Sequence, residues 1–155
     1  MRWSLILAIV AVTILTTSCS SQSISSPVAA SPDYGSAVVS IGSHSFKAEV
    51  PLTQEGFYKG LMNRTKLADD EAMLFDFGGS QERSFWMKNT LIPLDMLFID
   101  ENLTVRRISN AIPCKADPCP LYPSGAPVRY VLEIRGGLAN ELGIAEGHGV
   151  SIYSS

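Results

Sequence analysis

Hydrophobic positions change their spacing several times along this chain, and each change marks an element. Leu5 to Leu15 is an apolar run interrupted only by Thr13. Ser20 to about Tyr34 is mostly Ser, Pro and Ala, with too little apolar surface to offset the entropy of ordering it. Ala37–Ile41 then reads as a strand. Gly42-Ser43 reads as a turn, and Ser45–Val50 alternates with period two, which predicts a hairpin. Pro51 ends that strand. Thr53 is placed to cap a short helix reaching about Met62, with Phe57, Gly60 and Leu61 on one face. Gly56 and Gly60 each cost such a helix about 1 kcal/mol relative to alanine, so tertiary packing must hold it.

Further strands are predicted at Ala72–Phe77, Ser84–Lys88, Leu94–Ile99, Leu103–Ser109, Val128–Arg135 and Val150–Tyr153. Leu138–Leu142 is a helical turn. Gly78-Gly79-Ser80 reads as a loop, and Ala111–Pro127 as a long Pro-rich surface loop. Eight short strands and two short helices without βαβ alternation exclude a doubly wound sheet. They predict a mainly β fold: a single antiparallel β-sandwich or partly closed barrel with one or two short helices. The domain is expected over residues 37–155, preceded by a flexible tether over 19–36.

Composition changes this picture little. Hydrophobic residues make up 46% of 155 residues, enough for one core. The net charge of -3 and the isoelectric point near 5.3 argue against a nucleic-acid partner.

The N-terminus changes it more. Arg2 precedes the apolar run, which is too short to span a membrane as an ordinary helix. Thr16-Thr17-Ser18-Cys19 follows. Residues 1–18 resemble a bacterial lipoprotein signal, with Cys19 as the lipidated first residue of the mature chain. Thr16 stands where an aliphatic residue is usual; ordinary cleavage nearby and a retained anchor are the alternatives. The expected setting is the bacterial cell envelope, with the N-terminal lipid in the membrane. The remaining cysteines, Cys114 and Cys119, lie in one short loop, and an exported protein would keep them as a disulfide.

The densest stretch is Arg83–Asp100. It reads as two apolar strands around a polar corner, Lys88-Asn89-Thr90. Trp86 and Lys88 share one side of the first strand, and Asp95 opens the second. A tryptophan beside a cation can stack on a planar or sugar ring and hydrogen-bond it. Arg64, Asp95 and Glu133 stand in otherwise apolar contexts, Glu133 on the outward phase of its strand. They fit either a polar network that fixes register, with Lys88 paired to Asp95 or Glu133, or a site. Two carboxylates can act as acid and base in hydrolysis, and Arg64 can clamp an anion. The candidate ligand-binding set is therefore Arg64, Trp86, Lys88, Asn89, Asp95 and Glu133. Gly-x-Ser-x-Gly, His-Glu-x-x-His and phosphate-cradling glycine motifs are missing, and the two histidines show no metal-ligand spacing. No cofactor, metal or catalytic residue is expected.

Gly60-Leu61-Met62-Asn63-Arg64, Met73–Phe77, Phe85–Thr90, Ile92–Asp100 and Val131-Leu132-Glu133 occur together in an order that resembles the domain of unknown function 192 family. The resemblance spans roughly Ser45 to Tyr153. It implies a small, mainly β, often exported domain, and it supplies no activity. Ala72 and His148 depart from the family's usual Gly and Asp. The expected function is a non-catalytic, membrane-tethered domain that binds a small polar ligand, a saccharide among the candidates, or a partner protein. The alternatives are an envelope hydrolase using Asp95 and Glu133, and a purely structural role.

Overall fold

The computed structural model of the chain describes residues 33–154. The expected signal segment, Cys19 and most of the tether lie outside the described residues. Strands β1 (Tyr34–Ile41) and β2 (His44–Pro51) form the expected hairpin around Gly42-Ser43. Helix α1 (Gln54–Lys59) begins at Thr53, whose hydroxyl accepts the Gly56 amide at 3.1 Å. Gly60 ends it at φ 46°, and a Cβ there would lie 3.3 Å from the Phe75 ring. Glycine thus supplies both the left-handed turn and the close approach. The chain continues through β3 (Glu71–Gln81), β4 (Ser84–Trp86), β5 (Leu94–Ile99), β6 (Val105–Ala111), β7 (Leu121–Pro123), β8 (Val128–Arg135), α2 (Leu138–Glu141) and β9 (Val150–Ser154).

One seven-stranded sheet runs β6-β5-β8-β3-β2-β1-β9, and β4 pairs with β7 in a separate two-stranded sheet. The fold is mainly β, as expected. The expectation of a wholly antiparallel sheet needs one correction: β2 and β3 run parallel. The connection through α1 is long enough for the crossover that parallel strands require. The two edge strands approach each other at one end. Thr104 bridges Gly149, the Val105 amide donates to His148 O at 3.0 Å, and the Val150 amide donates to Leu103 O at 2.8 Å. The sheet is therefore curled and partly closed, without a continuous ladder between its edges.

Each face of the sheet has its own core. The first gathers Val39, Ile41, Phe46, Leu74, Leu132 and Ile134, together with Val105 and Val150 from the edge strands and Leu138 and Ala139 from α2. The second holds Met73, Phe75, Met96, Phe98 and Val131 against Leu61 and Met87. Burial on both faces leaves all six residues of β5 inaccessible, Asp95 included. Glu133 therefore has no outward phase, contrary to the reading of alternation in its strand. It is 4% exposed.

Several boundaries differ from expectation: β1 starts at Tyr34, inside the stretch expected as tether, α1 ends at Lys59 rather than Met62, and β4 ends at Trp86 rather than Lys88. β3 runs on through Gly78-Gly79, because the Asp76 carboxylate accepts the Gly78 amide at 2.8 Å and the ladder resumes at Gln81–Val128 past an irregularity. β6 starts at Val105, because Asp100 turns the preceding residues by accepting the amides of Asn102 and Thr104. The Pro-rich loop contributes β7, which pairs Leu121 with Trp86. The Cys114–Cys119 disulfide is present in that loop.

Gly136 marks a contact the fold cannot widen. Its amide donates to Pro93 O at 2.9 Å, and a Cβ at this position would lie 2.8 Å from the carbonyl carbon of Pro93. Gly136→Ala is expected to lower stability by about 1–3 kcal/mol through overpacking. Gly79→Ala, where nothing lies within 4 Å of the added carbon, should stay within about 0.5 kcal/mol. Urea unfolding of the two variants measures the difference.

Candidate functional site

The six sequence-predicted residues do not converge. Asp95 faces the first core: its register partners are Ile134 and Asn110. Its carboxylate accepts Asn110 Nδ2 at 2.6 Å, the Gly137 amide at 3.0 Å and the Ala139 amide at 2.8 Å. It thus satisfies otherwise orphaned donors at the start of α2 and ties that turn to β5 and β6. Glu133 faces the second core, opposite Met73 and Met96. The sheet backbone separates the two carboxyl groups, so they cannot share a substrate as acid and base. Arg64 Nη2 pairs with Glu49 at 2.5 Å. Lys88 pairs at 2.9 Å with Asp117 of the disulfide loop, in place of the expected Asp95 or Glu133.

Asn89 is a corner residue. Asn63 and Asn89 both take left-handed backbone, at φ 62° and φ 56°, a conformation asparagine tolerates better than most residues. The Asn63 amide donates to Asn89 O at 2.8 Å. This bond docks the end of the α1 region onto the β4–β5 corner. Met62-Asn63-Arg64 and Lys88-Asn89-Thr90, two of the segments that stand out in the sequence, therefore meet as architecture.

Trp86 and Glu133 lead to a different place. The second core is covered by α1 and by β4, and between them a cleft of about 450 Å³ opens to solvent. Phe57 and Tyr58 of α1, Phe77 of β3, and Phe85 and Trp86 of β4 wall it, with Arg83 at its margin. The rings pack edge to face: Phe75 and Phe85 have centroids 5.2 Å apart, and Tyr58 and Trp86 6.4 Å apart. Tyr58 and Trp86 form the rim, at 65% and 41% exposed. The Arg83 guanidinium lies 4.0 Å over the Phe77 ring, and its Nε is buried with no hydrogen-bond partner among the described residues. Burial pushes the Arg83 pKa down.

A smaller cavity of about 40 Å³ lies beside this cleft and shares Phe57, Tyr58, Phe75, Phe85 and Trp86 with it. Glu133 and Thr90 also line the small cavity. Burial alone pushes the Glu133 carboxyl up to about 8. At neutral pH it is mainly a neutral acid, with no hydrogen bond or ion pair from its carboxyl among the described residues. Sequence reasoning missed Phe57, Tyr58, Phe77 and Arg83 as site residues. Phe57 reads as a core position of an amphipathic helix, which it also is, and nothing in the spacing tells which rings remain open to solvent.

The chain is a small domain built on one mixed sheet, with a solvent-open aromatic cleft over a buried acid. It belongs to the DUF192 family, described as an uncharacterized ACR, whose profile matches residues 37–152. A crystal structure of a candidate transcription regulator from Sinorhizobium meliloti 1021 is similar at 36% identity and TM-score 0.71, over 79% of this chain and 97% of that one. A protein of unknown function from Novosphingobium aromaticivorans DSM 12444 is similar at 38% identity and TM-score 0.67, over 76% of this chain and 84% of that one. Comparison with curated proteins finds no match.

Two stability predictions separate the carboxylates. Asp95→Ala leaves two backbone amides and Asn110 without their acceptor, and should cost about 2–3 kcal/mol in urea unfolding. Asp95→Asn, which keeps one acceptor oxygen, should cost less. Glu133 predicts a pH dependence. Below pH 4.5, its unperturbed value, folded and unfolded chains both hold the proton. Between 4.5 and about 8 the unfolded chain releases it and the folded chain keeps it, so stability falls as pH rises. Glu133→Gln should remove this component, gaining on the parent chain by several kcal/mol across that window in paired unfolding curves.

Proposed function

We propose that this chain is a non-catalytic binding domain of the bacterial cell envelope, tethered through an N-terminal lipid on Cys19. Its ligand is a small polar molecule with a ring face, and its site is the cleft between α1 and β4. The observation behind the site is the open aromatic wall of Phe57, Tyr58, Phe77, Phe85 and Trp86, which buries ring surface on one side and leaves it available on the other. Faces of this kind stack on planar and sugar rings. The envelope setting is supported by the lipoprotein-like N-terminus and by the Cys114–Cys119 disulfide. No helix among the described residues is long and apolar enough to cross a membrane.

A partner protein is the second reading. It is favoured by Leu121 and Ile112, 64% and 68% exposed beside the β4–β7 pair. Lys47, Arg64, Lys88, Arg106, Arg129 and Arg135 are each paired with a carboxylate.

A screen of ring-bearing small molecules against the full chain, followed by tryptophan fluorescence and amide NMR, tests the site. Trp86→Ala should weaken a true ligand by about tenfold, the loss of one stacking face. Asp95→Asn, on the far side of the sheet, should leave its affinity unchanged. If no compound or protein binds in a way that Trp86→Ala weakens, the cleft is not the site. Mass spectrometry of the mature protein should find a lipid on Cys19, and an unmodified N-terminus elsewhere would contradict the tether.

A further inference from the structure

Glu133 defines what the cleft can prefer. Three observations bear on it. Glu133 lines a cavity of about 40 Å³, room for a group the size of a water molecule or an ammonium. Phe57, Phe75, Phe85 and Trp86 line the same cavity and present aromatic surface to that group. Among the described residues no cation forms an ion pair with the carboxyl: Lys59 lines the cavity and Arg83 the cleft without pairing to it, and Arg64, Lys88, Arg129 and Arg135 are held by Glu49, Asp117, Asp76, and Asp69 with Glu141.

We propose that the Glu133 cavity and the adjoining cleft form one binding site for an organic ammonium, whose ring stacks in the cleft while its charged nitrogen meets the Glu133 carboxylate among the aromatic walls. This deepens the binding reading above and rests on it. The chemistry is that of aromatic cages, in which ring faces attract a cation and a carboxylate completes its charge. A neutral ligand would exchange one set of weak hydrogen bonds for another. An ammonium gains a charge-assisted hydrogen bond in a site shielded from water, where such bonds are about twice as strong as neutral ones.

The groups facing Glu133 support this assignment. β3 and β5 set Met73 and Met96 opposite it, and the β4–β5 corner contributes Thr90. The titratable groups along the cavity are Tyr58 and Lys59 of α1, and the adjoining cleft adds Glu82 and Arg83, one charge of each sign. Lys59 is exposed to solvent. It forms no ion pair with Glu133 among the described residues. Below about pH 8 the unliganded carboxyl carries a proton. An entering ammonium keeps its own proton and expels that of Glu133 to solvent. Binding is thereby coupled to release of one proton.

Benzylammonium and its neutral analogue benzyl alcohol are the probes, titrated into the full chain with the Trp86 indole and the amides of α1 as reporters. Benzylammonium should bind more tightly than benzyl alcohol. Its affinity should rise close to tenfold per pH unit from about pH 6 to pH 7, levelling near the Glu133 titration. Glu133→Gln, which keeps the shape of the protonated acid, should abolish that pH dependence, weaken benzylammonium at pH 8 by about tenfold or more, and remove its preference over benzyl alcohol. Lys59→Ala should leave the pH profile in place. If benzyl alcohol binds as well as benzylammonium, or the profile is flat, the ammonium proposal is overturned while the cleft stands as a site. Loss of the profile in Lys59→Ala overturns it too. Binding of neither probe, or shifts that map away from Trp86 and α1, overturns the proposal and counts against the cleft as well.

Discussion

Burial of the central strands on both faces is the constraint that shapes this molecule. β5 and β8 lie inside the sheet; all six residues of β5 and five of the eight in β8 are buried. One face is closed by the sheet itself, which curls until β6 and β9 touch, with α2 packed against it. Among the described residues the other face has no second sheet of comparable size to cover it. It is roofed by the single short turn of α1 and by the β4–β7 pair, and phenylalanines fill the space between roof and sheet. A roof assembled from two small pieces meets imperfectly, and the aromatic cleft is the line along which α1 and β4 fail to meet. The cleft thus follows from the topology, and its chemistry follows from the rings needed to keep the outer core dry.

The same constraint separates what was legible in the sequence from what was not. Short apolar runs bounded by turn residues located the central strands, because a strand buried on both faces reads as a nearly continuous apolar run, and alternation located the half-buried ones. It misled on Glu133, because alternation was taken to mean one wet face. A charged residue on the second phase of a central strand reads like one on the surface of an edge strand. Pairing order settles the matter, and pairing order is not written in local pattern. The parallel β2–β3 junction was hidden for the same reason. β7 was hidden because three residues in a Pro-rich loop have no period to read.

The polar residues that stood out in the sequence mostly serve the joints between these pieces. Asp95 holds the start of α2 to β5 and β6. Asn63 and Asn89 turn the chain at two corners that bond to each other. Pro93 seats against Gly136. Lys88 reaches the disulfide loop, so the staple at Cys114–Cys119 holds Asp117 near the β4–β5 corner. A sequence alone presents joints and sites in the same way, as polar residues at fixed places among apolar ones. What distinguishes them is whether their hydrogen-bonding capacity is already used. Asp95 makes three hydrogen bonds within the fold, and the Asn63 amide and Asn89 carbonyl bond each other.

Glu133 fails that test, and this makes it informative. A carboxyl group in an apolar core costs stability at neutral pH, because folding must hold a proton that the unfolded chain would release. Glutamine would fit the same space without that cost, and methionine would pack it with the Met73 and Met96 already opposite. Nothing in the architecture uses the carboxyl: no strand, turn or helix end depends on it among the described residues. A destabilising group with unused capacity, lining a cavity that shares five residues with an open cleft, is better explained by what it does there than by what it holds together. Local rules of sequence and structure agree almost everywhere else in this domain. They disagree at Glu133, and it is from that disagreement that a function is read.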